Sequence, residues 1–195
     1  NGVLNDDSYN VQSGSISADL TGTGALTKNT AGTVTLTGAN DYTGGTAVNA
    51  GTLTAGNATA LGNGGPLALA ASGATLNVNG NSLTIGALSG VAGSLITNAG
   101  TGTATATLTS DFDTTSSTYA GVIQNGTTRL VALAKDGTGT LDLTGSNTYT
   151  GGTTVNGGTV LVGNANALGT TGAIQVNNDA TLAVDSGVTL ARHSA

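Results

Sequence analysis

The chain has 195 residues, yet charged side chains are only 7 % of it, against about 25 % in typical domains. All ten acids are Asp, and Lys28, Arg129, Lys135 and Arg192 are the basic residues, so the net charge is −6. That balance argues against a nucleic-acid face or an anionic membrane surface, and the lack of cysteine excludes disulfides and thiolate sites. The scarcity of Gln, Lys and Arg, the absence of Glu and Met, and the 33 glycines disfavour helices, while abundant Thr and Val favour strands. No apolar run approaches the roughly 18 residues of a membrane helix. The opening Asn and the missing signal peptide read as a portion of something longer.

Residues 1–10 are polar and read as a loop or an entry strand. From Val11 to Leu20 apolar and polar residues alternate, and Ala25-Leu26-Thr27-Lys28 is a short strand. Thr33-Val34-Thr35-Leu36-Thr37 alternates with period two, which predicts Val34 and Leu36 inside and the threonines outside. Gly38 to Gly45 is a corner, and Thr46-Ala47-Val48 and Thr52-Leu53-Thr54 are strands around Asn49-Ala50-Gly51. Pro66, the only proline, fits another corner. The stretch from 67 to 118 is less regular, with strands expected at Leu67-Ala-Leu, at Leu83-Thr-Ile and over 101–108. Ser110 to Tyr119 is the most polar run and is expected to protrude, after which Ala120-Gly-Val-Ile restarts the pattern.

One phrase occurs twice. Leu-Thr-Gly-Ala-Asn-Asp-Tyr-Thr-Gly-Gly-Thr begins at Leu36, and Leu-Thr-Gly-Ser-Asn-Thr-Tyr-Thr-Gly-Gly-Thr begins at Leu143. An offset of 107 carries Tyr42 onto Tyr149 and Lys28 onto Lys135, and 23 of 37 positions from Leu26 to Gly62 are identical in the second copy. Short strands spaced by glycine- or asparagine-bearing turns fit a sandwich, a barrel or a solenoid. The recurrence of one phrase, Gly-x-Leu/Val-x-Leu/Val, with no distinct edge or central strands, favours a solenoid in which each coil covers the next. About 20–25 residues per coil gives eight or nine coils in one continuous unit over 1–195, with copies at 26–62 and 133–169 and irregular coils over 63–132.

The duplicated phrase, with Lys28 or Lys135 leading in and Leu61-Gly62 or Leu168-Gly169 trailing, resembles the autotransporter-associated β-strand repeat, also called the passenger-associated transport repeat. The resemblance implies an all-β, right-handed, single-stranded parallel β-helix in the secreted passenger of a bacterial surface protein. In that family the repeat is a scaffold thought to aid export, and its passengers are often adhesins or self-associating proteins. The structural positions it implies are Asn40, Tyr42, Gly44 and Gly45, with Asn147, Tyr149, Gly151 and Gly152 in the second copy.

Chemistry is thinly represented. His193 is the only histidine and lies near the chain end, and Glu and Cys are absent, so neither a Ser-His-Asp triad nor a zinc site can be assembled. Asp142 and Asp185 stand alone in strand phrases. Asp111 and Asp113, with Thr114, Ser116 and Ser117, are a weak candidate for calcium, with a solvated loop the simpler reading, and no other cofactor is expected. Lys28 and Lys135 read as solvated residues that begin a rung. The tyrosines read as rings that pack over Gly44-Gly45 and Gly151-Gly152, or alternatively as exposed contacts for sugar or a partner chain.

The sequence therefore points to a non-catalytic structural or adhesive module at the bacterial surface. Its open solenoid ends invite stacking on neighbouring coils or end to end into filaments. The partners expected are other copies, adjoining coils, or cell-surface glycans or proteins. The alternative is a glycan-binding or polysaccharide-cleaving β-helix using Asp111, Asp113 and the repeated tyrosines.

Overall fold

Alternation of an apolar residue with Thr, Ala or Asn leaves a short strand one dry face, which it can bury only against a coil above and below. The computed structural model of the protein describes residues 2–111, 114, 116–177 and 179–191. Among them all regular structure is strand, and every pairing is parallel. The strands stack into three columns, and the chain visits the columns in a fixed order as it climbs. The product is a parallel β-solenoid of about eight turns.

The first face is a nine-stranded sheet that runs the full height. Its strands are Ser8–Val11, Ala25–Lys28, Thr46–Val48, Leu67–Leu69, Leu88–Gly90, Ser117–Tyr119, Thr140–Leu143, Thr159–Val162 and Thr181–Val184. The second face holds Gly14–Ile16, Thr33–Leu36, Thr52–Ala55, Thr75–Asn77, Leu95–Thr97 and Val122–Ile123. The third begins with Val3–Asn5 and Asp19–Thr21, and resumes at Leu83–Ile85, Ala106–Ser110, Val131–Lys135, Thr153–Val155 and Ile174–Val176. In the gaps of the second and third faces, corner segments replace the strands.

Inward side chains form one column of apolar residues. Leu26, Val34, Leu36, Val48, Leu53, Leu76, Leu141 and Val160 are all 0–1 % exposed. Each such Val or Leu contributes about 1.5–3 kcal/mol by leaving water. Outside, in-register threonines form ladders, such as Thr33–Thr52–Thr75 on the second face. Asparagines at one edge bond from coil to coil: Asn49 donates to Asn29 at 2.7 Å and Asn29 to Asn10 at 3.4 Å.

Coil length varies more than the outward pattern suggests. Leu141 pairs with Val160, 19 positions on, and Leu26 with Thr46, 20 on, but Gly90 pairs with Tyr119, 29 on. The long coil contains the expected irregular stretch, with two corrections. Both ends of the run expected to protrude are in strands, Ser110 closing Ala106–Ser110 and Ser117–Tyr119 joining the first face, and Ser110 and Tyr119 are buried because they sit in register with the coils beside them. The strand begins at Ala106, and 99–105 is an exposed loop in which Gly100 and Gly102 take φ of 143° and 106°. Those angles break the extended backbone that the Thr/Ala alternation would otherwise continue.

Candidate functional site

The duplicated phrase builds a corner that spans the place of a missing strand. Asn40 in the first copy lies between two coils and is 3 % exposed. Its Oδ1 accepts the Leu20 amide at 2.9 Å, and its Nδ2 donates to the Ala60 carbonyl at 2.8 Å. Asn147 does the same in the second copy, accepting from Ile123 N at 2.8 Å and donating to Ala167 O at 2.5 Å. The side-chain amide thus replaces a peptide unit in the ladder, since only Asn or Gln carries both donor and acceptor in that geometry. Neighbouring amides keep the stack: Asp41 donates to Leu20 O and Thr43 to Gly22 O.

Tyr42 and Tyr149 point inward and are 0 % exposed. Each hydroxyl bonds the threonine four residues on, Tyr42 to Thr46 at 2.7 Å and Tyr149 to Thr153 at 2.6 Å. Burial pushes the Tyr42 phenol well above its ordinary value of 10, against a smaller opposing effect of Thr46. Such rings cannot meet a sugar from outside, which removes the repeated tyrosines from any glycan site. The glycine under each ring is one coil onward: a Cβ at Gly62 would lie 3.1 Å from Tyr42 Cγ, and one at Gly169 3.1 Å from Tyr149 Cδ2. Gly44 and Gly151 instead let backbones meet, because a Cβ there would lie 2.5 Å from Thr23 O and 2.4 Å from Val131 O. Gly45 and Gly152 turn the chain at φ of 86° and 95°.

Lys28 and Lys135 are buried at 0 % exposure, not solvated. The stems run inside the rod and the ammonium groups cap turn carbonyls. Lys28 Nζ donates to the Thr30 carbonyl, to Thr30 Oγ1 at 3.1 Å and to Ala50 O at 3.3 Å. Its partners among the described residues are all neutral oxygens, and burial lowers its affinity for a proton. Lys135 Nζ donates to the Gly137 carbonyl.

The two copies do not lie above one another. Climbing the register from Lys28 leads through Val48, Leu69, Gly90 and Tyr119 to Leu143, not to Lys135. Lys28 lies on the first face and Lys135 on the third; the Tyr42 corner fills the third face and the Tyr149 corner the second. The second copy is therefore a third of a turn short of five coils.

Among carboxylates, Asp142 and Asp185 are not isolated. Burial pushes the Asp142 carboxyl above its usual value and the charge of Asp185 adds to the push. Asp142 Oδ1 is buried without a hydrogen-bond partner. Asp111 follows the strand ending at Ser110, while Asp113, Phe112 and His193 lie outside the described residues. Among the described residues no three acidic or His side chains converge as metal ligands. Nothing in the repeat pattern singles out Arg129, whose one distinguishing mark is that it is basic and falls outside both copies.

Parallel coils, buried polar corners and a lengthwise apolar column define a β-solenoid repeat protein. Residues 26–55 and 133–162 match the family described as Passenger-associated-transport-repeat, so the chain carries two copies of that repeat. The chain is also similar to the protein named Adhesin BmaC autotransporter from Brucella suis biovar 1 (strain 1330), at 40 % identity over 128 residues. That similarity takes in 66 % of this chain and 4 % of the relative's length. No solved structure matches the chain. No described helix is long and apolar enough to cross a membrane.

Proposed function

We propose that this chain is a non-catalytic scaffold from the passenger of a secreted bacterial surface protein, where it supports export and presents an adhesive surface. The observation that carries the reading is the pair of transport repeats, each of which builds more than one and a half coils around a buried Asn–Tyr corner. Coils that stack on their predecessor can fold one after another as a chain emerges, and each added coil buries further apolar surface. Kinship with a protein named as an adhesin supports the surface role. At one end Val3 and Leu4 are exposed beside a depression lined by Tyr9, Val11, Ile16 and Leu20. At the other, Val176 and Val184 are 43 % and 45 % exposed. Neighbouring coils of the same protein or a second copy would cover these surfaces.

The test places the chain between a secretion signal and a transport barrel on a bacterium that lacks adhesins. Protease-resistant chain at the cell surface, with cell adhesion above that of the barrel alone, is the expected result. Surface chain that is cut throughout, or folded chain that leaves adhesion unchanged, would overturn the reading. Electron microscopy of the purified chain over a concentration series decides end-to-end stacking, for which filaments are required and isolated short rods are contrary.

A further inference from the structure

Of the basic residues, Lys28 and Lys135 cap buried turns and Arg192 lies outside the described residues. Arg129 is left, half-buried where the long coil and its successor bulge from the rod. Its carbonyl accepts the Gly126 amide at 2.9 Å and closes a tight turn. Its guanidinium lies against three glycines: a Cβ would stand 2.4 Å from Nη1 at Gly80, 3.0 Å from Nη1 at Gly100, and 3.4 Å from Nη2 at Gly102. Nε and Nη1 are buried and donate to no acceptor among the described residues.

The guanidinium is a cation, and these two buried donors face no carboxylate among the described residues. Buried polar groups are otherwise paired as a rule, and an orphan asks what completes it. The surrounding loops are tied together. Thr128 Oγ1 donates to Gly102 O at 2.5 Å, Asn98 Nδ2 to Leu130 O at 2.7 Å, and the Gly80 amide to Asn98 Oδ1 at 2.6 Å. The covering loop, 99–105, is exposed throughout and turns on Gly100 and Gly102. In the two loops that meet beside the guanidinium, Thr101, Thr103, Thr127 and Thr128 are exposed and offer hydroxyls and peptide groups.

We propose that Arg129 anchors a binding site for the carboxylate of an acidic sugar. Either planar edge of the guanidinium, Nε–H with Nη2–H or Nη1–H with Nη2–H, matches the two oxygens of a carboxylate, which would have to displace the glycine loop to reach it. The loop hydroxyls suit a polyhydroxy carrier rather than an apolar one. The proposal rests on the reading of this chain as exposed at a cell surface only in that a glycan must meet it there.

The experiment titrates the full purified chain with glucuronate, following the Arg129 Nε–H resonance, with glucose and acetate at matched ionic strength beside it. A saturable shift with glucuronate, none with glucose, and binding about tenfold or more weaker with acetate are expected. Arg129→Lys, which keeps the charge without the fork, loses about tenfold in affinity, and Arg129→Gln abolishes the shift. Arg129→Gln melts no lower than wild type, since it removes a charge that faces no carboxylate among the described residues, whereas a structural arginine would lower the midpoint. The proposal is overturned by absence of a saturable shift, by a shift that survives in Arg129→Gln, by equal binding of acetate, or by early melting of Arg129→Gln. The titration needs no export, so its failure and failure of the surface-display test are separate outcomes.

Discussion

Asn147 is the residue whose removal most directly tests how the corner works. Asn147→Ala leaves the Ile123 amide and the Ala167 carbonyl facing one another across a buried gap where the side-chain amide now bridges them at 2.8 and 2.5 Å. Each orphaned buried group costs about 1–3 kcal/mol, so a loss of about 2–6 kcal/mol is expected. Because each coil leans on its neighbours, the loss extends beyond the corner, and hydrogen exchange should show the Ile123 amide unprotected together with its coil. Urea unfolding followed by circular dichroism, with exchange at Ile123, measures both. Asn147→Asp adds a readout of mechanism. An ionised carboxylate still accepts from Ile123 but faces the Ala167 carbonyl with no proton to give. Its folded acid is then held above the unfolded value, so the variant gains stability as pH falls and the protonated group can donate. A loss under about 1 kcal/mol in Asn147→Ala, or no pH dependence in Asn147→Asp, would refute the bridging role.

Three further outcomes are expected. Gly62→Ala should cost more than about 2 kcal/mol, because at φ of 74° the Cβ would also lie 2.2 Å from Tyr42 O; Gly73→Ala, at φ of 82° with open space around it, should cost only about 1 kcal/mol. Thermal melts of the two variants separate close approach from backbone strain. Burial raises the Tyr42 and Tyr119 phenols above their ordinary value of 10, so the folded chain keeps protons that the unfolded chain loses, and stability falls as pH rises past about 10. Tyrosinate absorbance from these two rings should appear only with unfolding. Asp142→Thr, which installs the residue of the first copy at position 35, should stabilise by up to about 1 kcal/mol at neutral pH. The folded Asp142 carboxyl is raised, so its penalty is present at neutral pH and fades as pH falls towards its ordinary value of 3.8, where the advantage should vanish in acid melts.

Much of the site lies open in the sequence in outline but not in chemistry. The duplicated phrase marks Asn40 and Asn147 as corner residues, and the structure supplies their role, since only the coils above and below provide the amide and the carbonyl that they bridge. Lysines at the end of a strand look solvated in one dimension. Lys28 is buried because its turn folds carbonyls back over the stem, a contact involving Ala50, one coil away. Asp142 and Asp185 look unrelated at a separation of 43 positions and share one side of the rod after two coils.

Alternation with period two, glycine punctuation and a duplicated unit determine by themselves that the chain forms short parallel strands stacked in coils with Val and Leu inside and Thr outside. Those features are local, and a strand's two faces follow from its own side chains. The phase of the two repeats is decided only by the tertiary structure. It depends on how many faces the chain visits between Lys28 and Lys135, and the coil lengths, which vary from 16 to 29 residues, are set by loops that leave the rod and return without adding a strand. Equal sequence is thus displayed on different faces, because the register of a solenoid counts strands rather than residues.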